Sequence, residues 1–480
     1  MMQIFYSSRS HRFPPGKNAA FKSVLLRVMC GWLLCLVTSA AYPQQTPTLT
    51  RILFLLDGSS SMAEAWSNTL KVEAAKKIVI QIADSLNASG DVQLALRIYG
   101  HQYIVSDHNC SDTKLEVPFA SHNAQGIKTA LNALHPRGIT PIANSLEQAA
   151  NDFPNDVRAR NIVILITDGE ESCGGDPCAV SLKLQQKKIF LRPFVIGLNL
   201  DPDAADRMNC IGNFYNAPNP DVLRTVMRTT VDRILSSASV QVNLLDSQDR
   251  PLETDVNLTF SDAGSGVARY QFYHTITNSG VPDTMRIDPV PSYSITVHTT
   301  PPVIRDHLSF ENHSLDTVNI RTPQGSLRIE LEGKTINQNL NDKIRVLVRK
   351  SGSGETIQSQ KLYESKKYLC GRYDLEVLTL PRITIRNVAI TQSSTTTITI
   401  PIPGIASISK SFAGVGSVMM KQGEEWVKIY PLKENSSNEL IGLQAGEYEI
   451  IFRSRFAKRS TDTVVKRVII KSGETTTIKL

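Results

Sequence analysis

The sequence predicts a doubly wound, Rossmann-like α/β domain followed by an all-β region of about three small β-sandwiches. A chain of 480 residues is too long for one ordinary core. From Arg51 to about Ser236, apolar runs alternate with amphipathic stretches, as expected for parallel strands joined by helices. After Ser237 the chain changes to short Val, Ile and Thr segments separated by Gly, Pro, Asn and Asp, which is typical of β-strands and turns.

The strands of the α/β domain are predicted from its apolar runs. The first lies at Ile52–Leu56 and ends on Asp57, and others are predicted at Val92–Ile98, Ile162–Ile166 and Ile189–Gly197. A helix of about six turns is predicted after the first strand, because apolar residues recur every four positions. These residues are Trp66, Leu70, Ala74, Ile78, Ile82 and Leu86. In such a sheet, ligands bind beyond the carboxyl ends of the strands.

We divide the chain into five segments. Residues 1–41 are predicted to be a signal peptide, and residues 42–237 the α/β domain. Three β-sandwich repeats are predicted at 238–324, 325–403 and 404–480.

A repeated tyrosine marks the three sandwiches. Tyr293, Tyr373 and Tyr448 are 80 and 75 residues apart, and each opens an apolar strand. One aromatic side chain at the same strand position of each unit predicts core packing, not a ligand-binding ladder. With the glycines at Gly371 and Gly446, the units resemble transthyretin-like or carboxypeptidase-regulatory-like modules of secreted proteins.

The first 41 residues predict export. They carry five cations and no acid, and all five cations precede the apolar stretch Val28–Ala41. This stretch is shorter than the ~20 residues that cross a bilayer. We expect cleavage near Ala40 or Ala41 and a secreted, periplasmic or cell-surface protein that meets the membrane only through this signal. Without the leader, 47 cations stand against 45 acids, so a nucleic acid is not an expected partner. The sequence does not indicate an oligomeric state.

Three short motifs carry the predicted chemistry. Asp57, Ser59 and Ser61 form a D-x-S-x-S motif at a strand end, Thr140 lies in Gly-Ile-Thr-Pro-Ile, and Asp168 lies in Ile-Thr-Asp-Gly. Together, in this order, they resemble the metal-ion-dependent adhesion site of von Willebrand factor A-like domains. Each motif alone also suits an ordinary turn or helix cap.

This resemblance implies a Mg²⁺ site, with Mn²⁺ or Ca²⁺ as other occupants. Carboxylate and hydroxyl oxygens are ligands that such hard cations prefer. Ser59 and Ser61 would coordinate directly, while Asp57, Thr140 and Asp168 would coordinate directly or through water. The expected partner is a protein that presents an Asp or Glu carboxylate to the ion.

The loop after Asp168 resembles an acidic, two-cysteine loop of some bacterial A-like domains. We expect its acids, Glu170, Glu171 and Asp176, to surround the mouth of the metal site. A solvated loop is the alternative, and an acidic rim would disfavour a strongly acidic partner.

Five cysteines lie beyond the leader, so four can pair and Cys370 is expected to be free and partly buried. One pairing joins Cys173 to Cys178 and Cys110 to Cys210, although spacing does not determine connectivity. The alternative is a zinc site that uses His108, Cys110, Cys173 and Cys178. Export favours disulfides.

The functional hypothesis is an adhesion or assembly protein that is not an enzyme. A metal-dependent hydrolase of the phosphatase type is the first alternative, because Asp57 follows an apolar strand, but such enzymes need a second acid where Ser59 stands. The sequence contains no phosphate-binding loop, no nucleophile elbow and no metalloprotease helix. A metal-free structural scaffold is the second alternative.

Overall fold

The computed structural model describes residues 49–156, 159–312, 314–333 and 342–480. The predicted signal peptide at 1–41 lies outside the described residues. Among the helices in these ranges, none is long and apolar enough to span a lipid bilayer.

The α/β domain contains eight strands, six α-helices and two short 3-10 helices, Ser60–Ala63 and Val105–Asp107, within its described residues. The strands are β1 (Leu49–Asp57), β2 (Ala65–Trp66), β3 (Thr69–Leu70), β4 (Val92–Tyr99), β5 (Thr113–Ala120), β6 (Ala159–Thr167), β7 (Phe194–Leu198) and β8 (Asn213–Ala217). The helices are α1 (Lys71–Leu86), α2 (Ala124–Ala133), α3 (Ile142–Asp152), α4 (Pro177–Gln186), α5 (Pro202–Met208) and α6 (Pro220–Leu235).

Six of these strands form one sheet in the order β5-β4-β1-β6-β7-β8. All neighbours in it are parallel except β4 and β5. Successive residues of β1 face opposite sides of the sheet: Phe54 packs in the core with α1, α2 and α6, and Leu55 packs in the core with α3, α4 and α5. The predicted doubly wound fold is therefore confirmed, and both faces of its central strand are buried.

Two predicted elements are shorter in the structure. Helix α1 begins at Lys71, because Trp66 belongs to the β2-β3 hairpin and is buried there, with its indole N–H donating to the Pro218 carbonyl at 3.0 Å. The strand predicted at Ile189–Gly197 is reduced to β7. Buried side chains of the preceding connection, such as Phe190, continue the apolar run without continuing the strand.

The all-β region contains 21 strands within its described residues. They are β9 (Ala238–Leu245), β10 (Val256–Asp262), β11 (Ala268–His274), β12 (Met285–Ile287), β13 (Tyr293–Val297), β14 (Val303–Leu308), β15 (Leu315–Arg321), β16 (Gln324–Leu331), β17 (Arg345–Lys350), β18 (Thr356–Lys361), β19 (Ser365–Leu369), β20 (Gly371–Val377), β21 (Ile383–Ile390), β22 (Thr395–Ile400), β23 (Gly404–Ser409), β24 (Gly414–Gln422), β25 (Glu425–Pro431), β26 (Asn438–Leu443), β27 (Gly446–Ser454), β28 (Val464–Ile470) and β29 (Thr475–Lys479).

These strands form three pairs of sheets, each with one three-stranded and one four-stranded sheet. The pairs are β12-β9-β15 with β11-β10-β13-β14, β19-β16-β22 with β18-β17-β20-β21, and β26-β23-β29 with β25-β24-β27-β28. Each pair encloses its own hydrophobic core. This arrangement is consistent with three small β-sandwiches, while the boundaries between the segments stay predictions.

Candidate metal centre

The candidate site lies at the carboxyl edge of the central sheet, where β1 and β6 end. Because these strands are parallel neighbours, Asp57 at the end of β1 and Asp168 just after β6 reach the same edge. The loop after Asp57 is fixed by a bridge between Ser59 and Gly138 and by a hydrogen bond of 2.9 Å from the Ser60 N–H to the Gly138 carbonyl.

Four of the five predicted ligands belong to one hydrogen-bonded group. The Asp57 carboxylate accepts from the Ser59 N–H at 2.8 Å through Oδ1 and from the Thr167 hydroxyl at 2.7 Å through Oδ2. The Ser61 hydroxyl donates to Asp168 Oδ1 at 2.7 Å. The hydroxyl oxygens of Ser59 and Ser61 are 3.0 Å apart.

Thr140, the fifth predicted ligand, is held beside this group by the loop that follows Asp168. Its N–H donates to the Ser172 hydroxyl at 2.8 Å, and its carbonyl accepts from the Ser172 N–H at 3.1 Å. Glu171 adds a second connection, since its carboxylate accepts from the N–H groups of Ala143 in α3 and of Cys173, both at 2.7 Å. The loop thus fixes Thr140 at the start of α3.

The structure does not support the expected acidic rim, because each acid of the loop has a partner elsewhere. Glu171 binds the backbone of α3. Glu170 accepts from Arg207 Nε at 2.7 Å, and this hydrogen bond lowers the pKa of Glu170. Asp176 caps the N-terminus of α4 by accepting from the Ala179 N–H at 2.9 Å. All three acids are therefore engaged within the loop or with the neighbouring helices.

The electrostatics of the site are dominated by two buried carboxylates. Burial, followed by the charge of Asp168, raises the pKa of Asp57 to about 6, although hydrogen bonds from Ser59 and Thr167 oppose the shift. The hydroxyl of Tyr99 is also buried, and within the described residues it has no hydrogen-bond partner. Burial and the charge of Asp57 raise the pKa of Tyr99 far above its usual value.

Sequence reasoning missed one charged residue of the site, Lys71. Its ammonium lies 2.9 Å from Asp168 Oδ2 and 2.7 Å from Glu64 Oε2. Burial lowers the pKa of Lys71, but the hydrogen bonds to Glu64 and Asp168 outweigh it, so the pKa is raised overall. A cation in the first turn of a helix is unfavourable to the helix dipole, and this feature of α1 was the available signal.

The residues present fit a divalent cation. The site offers oxygen donors, two carboxylates and three hydroxyls, which suit a hard ion such as Mg²⁺. In the described part of the chain, no group of three or more His, Cys, Asp or Glu side chains is placed to hold a metal, so a centre here depends on the hydroxyls as well. The raised pKa of Asp57 reflects a buried negative charge beside a second carboxylate, which a bound cation would stabilise.

The cysteines of the α/β domain form two disulfides within the described residues, but not those expected. Cys110 pairs with Cys173, and Cys178 pairs with Cys210. The local Cys173–Cys178 bridge is wrong because α4 begins between these residues, at Pro177, and places Cys178 in its first turn. Cys173 instead lies in the loop that reaches Cys110.

The same pairing overturns the zinc alternative. The three cysteines of that proposed site are all oxidised to disulfides, so His108 has no thiolate neighbours to share a zinc ion with. Among the cysteines that the structure describes, Cys370 is free and half-buried, as predicted. Burial raises the pKa of its thiol, which makes it less reactive.

The family is shown by comparison with known proteins. The von Willebrand factor type A domain matches residues 52–229, a range that contains all five predicted ligands. The uncharacterized protein YwmD of Bacillus subtilis (strain 168) is 33% identical over 192 residues, which are 39% of this chain and 85% of YwmD. YwmC of the same organism is 31% identical over 199 residues, 40% of this chain and 86% of YwmC. The chain belongs to the von Willebrand factor type A domain family.

A similarity to a solved structure extends further along the chain. The pilus adhesin SpaC of Lactobacillus rhamnosus GG is 10% identical, with a TM-score of 0.33, over 91% of this chain and 88% of SpaC.

Proposed function

We propose that this protein is an exported, metal-dependent adhesion or assembly protein, and not an enzyme. The observation that carries the proposal is the convergence of Asp57, Ser59, Ser61 and Asp168 in one hydrogen-bonded group, with Thr140 held beside them. This is the set of oxygen donors that the adhesion-site motif implies, at the edge of the sheet where ligands of doubly wound folds bind.

In this proposal Mg²⁺ occupies the site, and Mn²⁺ or Ca²⁺ can replace it. Ser59 and Ser61 contribute their hydroxyls, and Asp57, Thr140 and Asp168 bind directly or through water. The bound ion would supply a positively charged coordination position for an incoming oxygen ligand. Because the remaining protein ligands are uncharged hydroxyls, the ion keeps its attraction for an anion, and the proposed partner presents an Asp or Glu carboxylate.

An apolar surface beside the site supports a protein partner. Tyr103, Ile104 and Val105 are consecutive and are 46%, 54% and 48% exposed. Their loop is fixed by the Cys110–Cys173 disulfide, and a Cβ at Gly138 would lie only 2.9 Å from the Tyr103 carbonyl. The loop therefore packs against the segment that holds Ser59 in place. Exposed apolar groups next to an ion are the contacts a protein ligand can cover.

The two disulfides support a location outside the cytoplasm, since such bonds persist in oxidising compartments. Secretion, the periplasm and the cell surface all satisfy this condition. The hydrolase alternative receives no support, because a hydroxyl of Ser59 bonded to Ser61 stands where a phosphatase needs its second acid.

The second candidate function is a metal-free scaffold. One observation favours it: the Lys71 ammonium already neutralises part of the charge of Asp168. A scaffold of this kind would use the apolar loop or the β-sandwiches for contact and would be indifferent to divalent cations.

Calorimetric titration of Mg²⁺ and Mn²⁺ into the purified exported protein tests the proposal. We expect the wild type to bind one ion, and Asp168→Ala to bind it about 100-fold more weakly or not at all, because even outer-shell changes cost about 10–100-fold. Asp176→Ala is the matched control, since this acid is in the same loop but caps α4, and its affinity should equal that of the wild type. Folded wild type that binds neither ion would establish the scaffold instead.

A further inference from the structure

Lys71 is a charged side chain that the adhesion motif does not account for. Its side chain is 10% exposed, and that of its partner Asp168 is fully buried. The other partner, Glu64, has a side chain that is 64% exposed to solvent. The buried partnership is therefore between Lys71 and Asp168, a predicted metal ligand.

The two oxygens of the Asp168 carboxylate face different groups. Oδ1 accepts from the hydroxyl of Ser61, another predicted ligand, whereas Oδ2 contacts the ammonium of Lys71. A cation held by the Ser61 side of the site would share this carboxylate with Lys71. Two positive charges on one carboxylate repel each other. This repulsion offsets part of the attraction of each cation for the carboxylate.

The charges of Asp57, Asp168 and Lys71 indicate that Lys71 takes the place of a bound cation in balancing the two carboxylates. Asp57 and Asp168 belong to one hydrogen-bonded group with Ser59 and Ser61, and both are buried, so bringing their two negative charges together without a cation is unfavourable. With Lys71 the three groups have a net charge of −1, and with a divalent ion added the total becomes +1. Without Lys71 these totals would be −2 and zero.

We propose that Lys71 is a built-in counter-charge that competes with the divalent cation for Asp168. It stabilises the fold when no ion is bound, lowers the affinity of the site for the ion, and leaves the occupied site positively charged toward a carboxylate. This inference rests on the proposed metal function, whose failure the same experiment detects separately.

The same helix provides a matched control, Lys76. Both lysines are 8% exposed and both are on α1. Lys76 binds Glu73 at 2.8 Å and the Leu134 carbonyl at 2.9 Å, and neither group is a predicted metal ligand. Replacing Lys76 therefore removes a buried ammonium of the same kind without removing the positive charge that contacts Asp168.

The experiment compares Lys71→Met and Lys76→Met with the wild type by Mg²⁺ calorimetry and by thermal unfolding in EDTA and in saturating Mg²⁺. For Lys71→Met we expect an affinity for Mg²⁺ at least about fivefold higher. Its melting temperature should fall in EDTA and rise more with Mg²⁺ than that of the wild type. Lys76→Met should lose stability with an unchanged Mg²⁺ affinity.

Each outcome decides the matter. Equal or weaker Mg²⁺ binding by Lys71→Met, in folded protein, overturns the inference. If Lys71→Met is unfolded in EDTA, folding restored by Mg²⁺ supports it, and failure of Mg²⁺ to restore the fold contradicts it. Binding by Lys71→Met alone would support the counter-charge and refute the metal function of the wild type. No binding by either protein refutes both.

Discussion

The candidate metal centre at the carboxyl edge of the central sheet (the metal edge) and the cores of the three β repeats accommodate polar groups in opposite ways. Each repeat buries a tyrosine at the corresponding strand, and the hydroxyl of that tyrosine donates to a nearby backbone carbonyl: Tyr293 to Asp288, Tyr373 to Leu369 and Tyr448 to Gln444, at 2.7, 2.8 and 2.6 Å. Within the described residues the metal edge has no such repeat, and its two buried carboxylates stand against the one ammonium of Lys71, so its charges do not cancel. A polar group that recurs with a local partner indicates packing, whereas a single group of uncompensated charges indicates a binding site.

The largest expected effect is on the stability of a β repeat, and it tests whether the repeated tyrosine is a packing residue. Tyr373 is 3% exposed in the core of its repeat, so Tyr373→Ala should lower the free energy of unfolding of that unit by about 3–5 kcal/mol through lost burial and a cavity. Tyr373→Phe, which removes only the hydrogen bond, should cost about 1 kcal/mol. Denaturant unfolding measures both.

Neither substitution should change the affinity for Mg²⁺, because the metal edge has its own core and its own hydrogen bonds. If Tyr373→Phe cost as much as Tyr373→Ala, the hydroxyl would be more than a packing group. The repeated tyrosines would then need a functional explanation.

A smaller effect is expected in the pH dependence of stability and of Mg²⁺ affinity, and it tests the metal edge. The pKa of Asp57 is about 6 in the folded protein against 3.8 normally, so the folded state holds this proton more tightly than the unfolded state. Stability without metal should therefore fall as pH rises through this window, by about 1 kcal/mol between pH 5 and pH 7. Mg²⁺ binding requires the ionised carboxylate, so its affinity should be about tenfold weaker at pH 5 than at pH 7.5.

The variant Asp57→Asn isolates this contribution, because an amide does not titrate. The difference in unfolding free energy between wild type and variant, measured in EDTA, should change with pH by the amount predicted for Asp57. A difference that stays constant from pH 5 to pH 7 would show that Asp57 is ionised throughout and that the two carboxylates do not repel appreciably.

The sequence was sufficient for the parts of the site that depend on strand order. Asp57 and Asp168 follow apolar runs, and the carboxyl ends of parallel strands necessarily meet at one edge of the sheet. Both the fold class and the packing role of the repeated tyrosines followed from periodic patterns in the same way. In each case the information is local, within a strand or within a repeat.

What the sequence did not predict depends on contacts between loops. The disulfide partners, the ion pair of Lys71 with Asp168, and the hydrogen bond from Ala143 to Glu171 all join segments that are far apart in the chain. The acids after Asp168 were assigned to the metal mouth because of their charge and position. Whether a carboxylate faces an ion or a helix N-terminus depends on the direction of the loop, which residue spacing does not specify.

The smallest expected effect comes from the loop after Asp168, where two neighbouring glutamates have different partners. Glu171 accepts from two backbone N–H groups, one of them at the start of α3, whereas Glu170 pairs with Arg207 at the surface, where their side chains are 39% and 59% exposed. Glu171→Gln keeps only one acceptor oxygen and loses the charge that favours a helix N-terminus, so it should cost about 1 kcal/mol of stability. Glu170→Gln, the matched control, should cost less than about 0.5 kcal/mol.

Glu171→Gln should also weaken Mg²⁺ binding by several-fold, since the loop that carries Glu171 and Ser172 fixes Thr140 beside the other ligands. Calorimetry of the two variants at pH 7.5 measures this difference. Equal affinities for Mg²⁺ in Glu171→Gln and Glu170→Gln would mean that Thr140 is positioned by Ser172 alone. The acids of the loop would then contribute to the fold of the domain and not to the geometry of its metal edge.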